Sequence, residues 1–71
     1  MIIKTTKEKL LANEWKTDNG WDYKKETNTG AIMELNQSPS ILGEYRLHCH
    51  DVDFPTDLIA IGEELLKVKV K

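Results

Sequence analysis

Cysteine is almost missing from this sequence, and that scarcity already sets bounds. With Cys49 alone, no internal disulfide can form, which fits a reducing compartment where thiols stay free. No apolar run approaches the roughly 20 residues that a membrane span requires. The opening Met-Ile-Ile-Lys-Thr-Thr-Lys-Glu-Lys lacks the apolar core and small-residue cleavage site of a secretory signal. A cytoplasmic protein without membrane contact is expected. Glycine-rich phosphate loops, a Gly-x-Ser-x-Gly elbow and spaced cysteine pairs are also missing. At 71 residues the chain is too short for a double βαβαβ dinucleotide fold, or for a TIM barrel of about 250 residues. No catalytic constellation stands out. The expectation is therefore a non-enzymatic protein with no cofactor and no resident metal.

Positive charge is scarce in one region only. Between residues 31 and 64, seven acids face the single Arg46, whereas residues 1–30 are nearly neutral and Lys67, Lys69 and Lys71 make the last seven residues basic. An acidic middle repels a phosphate backbone, so nucleic-acid binding is disfavoured. The length predicts one small domain, residues 1–71. A chain of this size buries only about 60% of the surface its unfolded form exposes, and its apolar share is a modest 39%. A protein partner or self-association, such as a homodimer, is expected to supplement so thin a core.

The clearest positive pattern is Gly43–Phe54. From Glu44 to Cys49 polar and apolar residues alternate strictly. On an extended chain, side chains two apart share a face. Tyr45, Leu47 and Cys49 are thus expected to be hidden, and Glu44, Arg46, His48 and His50 to face water. This is a half-buried strand.

In chain order, Met1–Lys4 reads as a first strand. Thr5-Thr6-Lys7-Glu8 matches a capping box, in which Glu8 reaches back to the cap amide. A helix is expected from about Thr6 to Lys16, with Leu10, Leu11 and Trp15 on its docking face. Asp18-Asn19-Gly20 turns the chain. Trp21–Glu26 and Ala31–Leu35, separated by Thr27-Asn28-Thr29-Gly30, read as a β-hairpin. Pro39 breaks any ladder in the connector that follows. Residues 57–66 fit either a helix capped by Thr56 or a hairpin turning at Gly62-Glu63. A glycine inside a helix costs about 1 kcal/mol against alanine and suits a tight turn, so the hairpin is preferred. Lys-Val-Lys-Val-Lys at the end has period two and is expected to be a strand.

Candidate chemistry concentrates on the Glu44–His50 segment. His48 and His50 would project from one face about 6.6 Å apart along the chain, a separation that suits a shared transition metal. No third ligand is identifiable. Asp51 and Asp53 fall on the opposite face unless the strand ends at His50. A pH-sensitive contact with a neighbouring acid is a further reading. Cys49 points away from both histidines and reads as a buried structural thiol, not a nucleophile. Trp21 and Tyr23, followed by Lys24 and Lys25, could stack single-stranded bases, although Asp22 and Glu26 dilute the charge and packing is the commoner use of such rings.

These readings combine into an α+β fold: one short N-terminal helix packed on a mainly antiparallel sheet of four or five strands. A hairpin tail would allow partial closure into a small barrel. The expected function is protein–protein binding through a sheet edge or the acidic middle surface. The binding candidates are Glu44, Arg46, His48, His50, Trp21 and Tyr23. A metal-responsive domain built on His48 and His50, and a small nucleic-acid binder built on Trp21 and Tyr23, are the alternatives.

Overall fold

The computed structural model describes residues 1–53 and 55–70. Its elements are β1 (Ile2–Lys4), α1 (Lys7–Ala12), β2 (Lys16–Thr17), β3 (Asp22–Glu26), β4 (Ile32–Gln37), β5 (Glu44–His50) and α2 (Thr56–Val68). The strands form one antiparallel sheet in the order β1-β5-β4-β3-β2. The class is α+β, as its patterning predicts. The sheet stays open, with β1 and β2 as its two edges, so it does not close into a barrel.

Alternation along each strand sorts the residues onto two faces. The register aligns Ile3, Tyr45 and Gln37 in one row, Leu47, Leu35, Tyr23 and Thr17 in the next, and Cys49, Met33 and Lys25 in a third. Ile3, Tyr23, Met33, Leu35 and Tyr45 from these rows join Leu10, Trp15, Ala31, Ile61, Leu65 and Val68 in one buried core. Both helices therefore cover the same face. The rings of Tyr23 and Tyr45 meet edge to face, 6.0 Å apart at 78°, the arrangement that aromatic quadrupoles favour.

The first helix is shorter than its sequence suggests. Its N-cap is Thr6, whose hydroxyl accepts from the Lys9 amide at 3.2 Å. The third helical residue is thus Lys9 rather than Glu8, and no acid completes a capping box. The helix ends at Ala12 in a Schellman turn. Trp15 N–H donates to the Leu10 carbonyl (3.0 Å) and Glu14 N–H to that of Leu11 (3.2 Å). Glu14 takes the left-handed conformation, φ +68°, that such a turn requires. The turn drops Trp15 into the core beside Leu10 and leaves Leu11 half exposed, so Leu11 and Trp15 do not share a helical face. The chain then enters β2 at once.

The tail is not a hairpin. Residues 56–68 form α2, with Ala60, Ile61, Leu65 and Val68 buried at helical spacing. The stripe spans more than two turns, and its burial outweighs the penalty at Gly62. Thr56 does not cap it. Instead Asp57 accepts from the Asp53 amide (2.7 Å) while its own amide donates to the Asp53 carbonyl (3.0 Å). The Thr29 hydroxyl and the Asp53 amide together hold the Asp57 carboxyl below its usual range. Of the expected final strand, Lys67 and Val68 belong to the helix; after Val68 the chain extends, and Val70 N–H donates to the Lys4 carbonyl at 2.9 Å. Lys71, the end of that expected strand, lies outside the described residues.

Lys25 ties the two helices to the sheet. Its ammonium donates to the Asn13 carbonyl at the end of α1 (2.6 Å) and to Glu64 Oε2 on α2 (2.7 Å). Lys25, and to a smaller degree Lys67 at 3.2 Å, keeps the Glu64 carboxyl below the ordinary glutamate range.

Candidate functional site

The face turned away from the helices is uncovered, and its register assembles a surface that no single strand encodes. Ile2, Arg46, Asn36 and Asp22 form one row across four strands. His48, Glu34, Lys24 and Lys16 form a second, and His50, Ile32 and Glu26 a third. Lys4 lies opposite Glu44 at the top of β5. Charges of both signs alternate here, as suits a solvated sheet face.

Two parts of this surface differ in kind. On the β3–β4 side the polar groups satisfy one another. Asn36 Nδ2 donates to Asp22 Oδ1 (2.9 Å) and to Glu34 Oε2 (3.3 Å), and Asn19 Nδ2 donates to Asp22 Oδ2 (3.1 Å). These bonds from Asn36 and Asn19 lower the Asp22 pKa. On the β5–β1 side, a groove of about 420 Å³ is lined by Ile2, Asn36, Glu44, Arg46 and His48 of the open face, by Gln37 and Tyr45 of the inner rows, and by Ser38 and Pro39. Among the described residues Arg46 has no carboxylate partner. Arginine presents five donors in a planar fork that fits a carboxylate. The groove thus holds an unpaired guanidinium on a rigid strand.

Glu44, Arg46 and His48 meet in this groove. His50 lies on the same face at its far end, where its Nε2 is 3.7 Å from Glu34 Oε1. Glu34 stands opposite His48 in the register. Among the described residues, however, no three His, Cys, Asp or Glu side chains converge to hold a metal ion. Tyr23 is fully buried and offers no ring face to a ligand, while Trp21 is 43% exposed on the loop before β3. The two rings do not form one stacking surface.

Cys49 departs from expectation. It lies on the inner face opposite Met33, yet it is exposed, because the core beneath the end of β5 thins out beyond the half-buried Leu47. Partial desolvation still raises its thiol pKa. The acids of residues 31–64 do not gather into one surface either. Glu34 and Glu44 lie on the open sheet face, whereas Asp57 and Glu64 are used in contacts beneath the helices.

Comparison with protein families, curated proteins and solved structures finds no match to this chain. Its site is therefore read from geometry alone. Ile2, Asn36 and Gln37 were not singled out in the sequence. They reach the groove only through the register of β4 and β1 on β5, for which a single sequence carries no visible signal. Among the described residues no helix is long and apolar enough to cross a membrane.

Proposed function

We propose that this protein is a small non-enzymatic binding module that engages a protein partner through the uncovered face of its sheet, with Arg46 as the anchor. The observation that carries this reading is the unpaired guanidinium in the groove between β1, β5 and the Ser38–Pro39 segment. His48 beside it adds hydrogen-bonding capacity, and Ile2, 59% exposed, adds an apolar rim. A carboxylate on the partner is the matching group. The sheet edges favour the face over strand addition: β2 pairs over only two residues, and Val70 already occupies the Lys4 carbonyl on the free side of β1.

The test is affinity capture from cell extract with three baits: the wild type, Arg46→Ala, and Lys7→Glu as a charge control on α1. A partner retained by the wild type and the control but lost by Arg46→Ala is the expected result. Arginine at the centre of an interface typically contributes about 2 kcal/mol, a ~30-fold change in affinity. A partner held equally by all three baits, or none held by the wild type, would reject the reading.

A further inference from the structure

α2 carries two apolar surfaces, and the fold uses only one. Ala60, Ile61, Leu65 and Val68 face the core. Leu58 (43% exposed) borders this stripe, and Ile59 (63%) and Leu66 (70%) lie in water on the far side of the helix. At 3.6 residues per turn, Gly62 falls between these three and leaves a notch at the centre of the patch. Glycine is the least favourable helical residue after proline, and it is retained at mid-helix. Packing among the described residues does not require it: a Cβ at Gly62 would meet no atom of its neighbours within 4 Å. A second helix lying across the notch would. Small residues at a crossing point let two backbones approach until the flanking apolar side chains interdigitate.

Charge indicates what that second helix is. The approach to α2 carries the exposed acids Asp51 and Asp53, and its exit carries the exposed Lys69 and Lys67, the latter 3.2 Å from Glu64 of the same helix, with the exposed Glu63 between the two ends. A copy of the same helix laid antiparallel brings the basic end of one against the acidic end of the other at both extremities. A parallel copy would set like against like.

We propose that α2 is a self-association surface, across which two copies of the chain pack antiparallel over Gly62. The helix is 13 residues long, or about 20 Å at 1.5 Å per residue. The contact is short, so the dimer is weak and its population depends on concentration. It leaves the outer sheet face of each copy free, and so does not depend on the reading of Arg46.

The experiment is sedimentation equilibrium on the whole chain from micromolar to millimolar concentration, in low and high salt. The wild type is expected to pass from monomer to dimer, at higher concentration when salt is raised. Leu66→Glu, at a position mostly in water, is expected to remain a monomer with an unchanged circular dichroism spectrum. Gly62→Ala supplies a second readout of opposite sign, since the added methyl favours the isolated helix but separates the paired ones. Its thermal midpoint in dilute solution should rise while its dimer dissociation constant increases several-fold. Three results would overturn the proposal: a wild type that stays monomeric at millimolar concentration, a dimer that survives both substitutions unchanged, or α2 resonances that broaden with anionic lipid vesicles instead of with added protein.

Discussion

Removing the Lys25 ammonium tests the packing of both helices at once. In Lys25→Met the apolar stem is kept and the charge is lost. Glu64, whose side chain is 17% exposed, then retains only Lys67 at 3.2 Å, and the Asn13 carbonyl loses its donor at 2.6 Å. Breaking a fully buried pair costs about 3–5 kcal/mol, and an exposed pair is worth about 0–1 kcal/mol. Partial exposure and the remaining lysine place this case between the two, at about 2 kcal/mol. For a domain of this size that corresponds to a thermal midpoint lower by roughly 8–16 °C.

The assay is urea denaturation followed by tryptophan fluorescence, in which the buried Trp15 reports unfolding above a smaller contribution from the exposed Trp21. Glu64→Gln and the double substitution complete a mutant cycle, with an expected coupling of about 1 kcal/mol or more between neighbours in contact. The sign of the pH effect is fixed. The folded Glu64 pKa is depressed, so its contribution is fully present above the unfolded value and is lost as pH falls through the folded one. The stability gap between wild type and Lys25→Met should therefore be wide at neutral pH and narrow below the ordinary glutamate pKa. A coupling of zero within about 0.3 kcal/mol, or a gap independent of pH, would refute the account of Lys25 as the tie between layers.

Three further substitutions probe the backbone and core. Glu14→Gly should stabilise by about 1 kcal/mol in urea titration, because Glu14 takes a left-handed conformation at φ +68° that glycine adopts without strain. Gly43→Ala should destabilise by about 2 kcal/mol: φ is +84°, and the new Cβ would lie 3.3 Å from the Thr5 carbonyl, where β1 joins β5. Tyr23→Phe should leave thermal stability unchanged or raise it by up to about 1 kcal/mol, since the buried Tyr23 hydroxyl has no hydrogen-bond partner among the described residues. A clear loss there would mean that the hydroxyl is bonded in solution.

The elements legible in the sequence are those whose burial repeats at the period of the element itself. In β5 the alternation of burial survives from Glu44 to Leu47, with Tyr45 inside and Arg46 on the water side, and is lost at Cys49, which is exposed like His48 and His50. The hairpin β3–β4 was legible for the same reason, helped by its Thr27–Gly30 turn. Two kinds of information were not. The end of α1 depends on a glutamate taking a conformation that glycine usually supplies, so no residue type announced it. The groove depends on register: Arg46 meets Asn36 and Ile2 only because β4 and β1 flank β5 at those offsets. Candidate residues could thus be found on β5, but their neighbours could not.

The misreading of the tail has a different origin, and it bears on function. An amphipathic helix announces itself by a polar side, and α2 lacks one where Leu58, Ile59 and Leu66 interrupt it. Gly62 resembles a turn between two strands, and Leu66, Val68 and Val70 alternate with lysines at period two. Folding of the single chain explains Ala60, Ile61, Leu65 and Val68, which are buried. It leaves Leu58, Ile59 and Leu66 in water. Under the proposal made above, Leu58, Ile59 and Leu66 around Gly62 are the residues that a second copy of the helix covers.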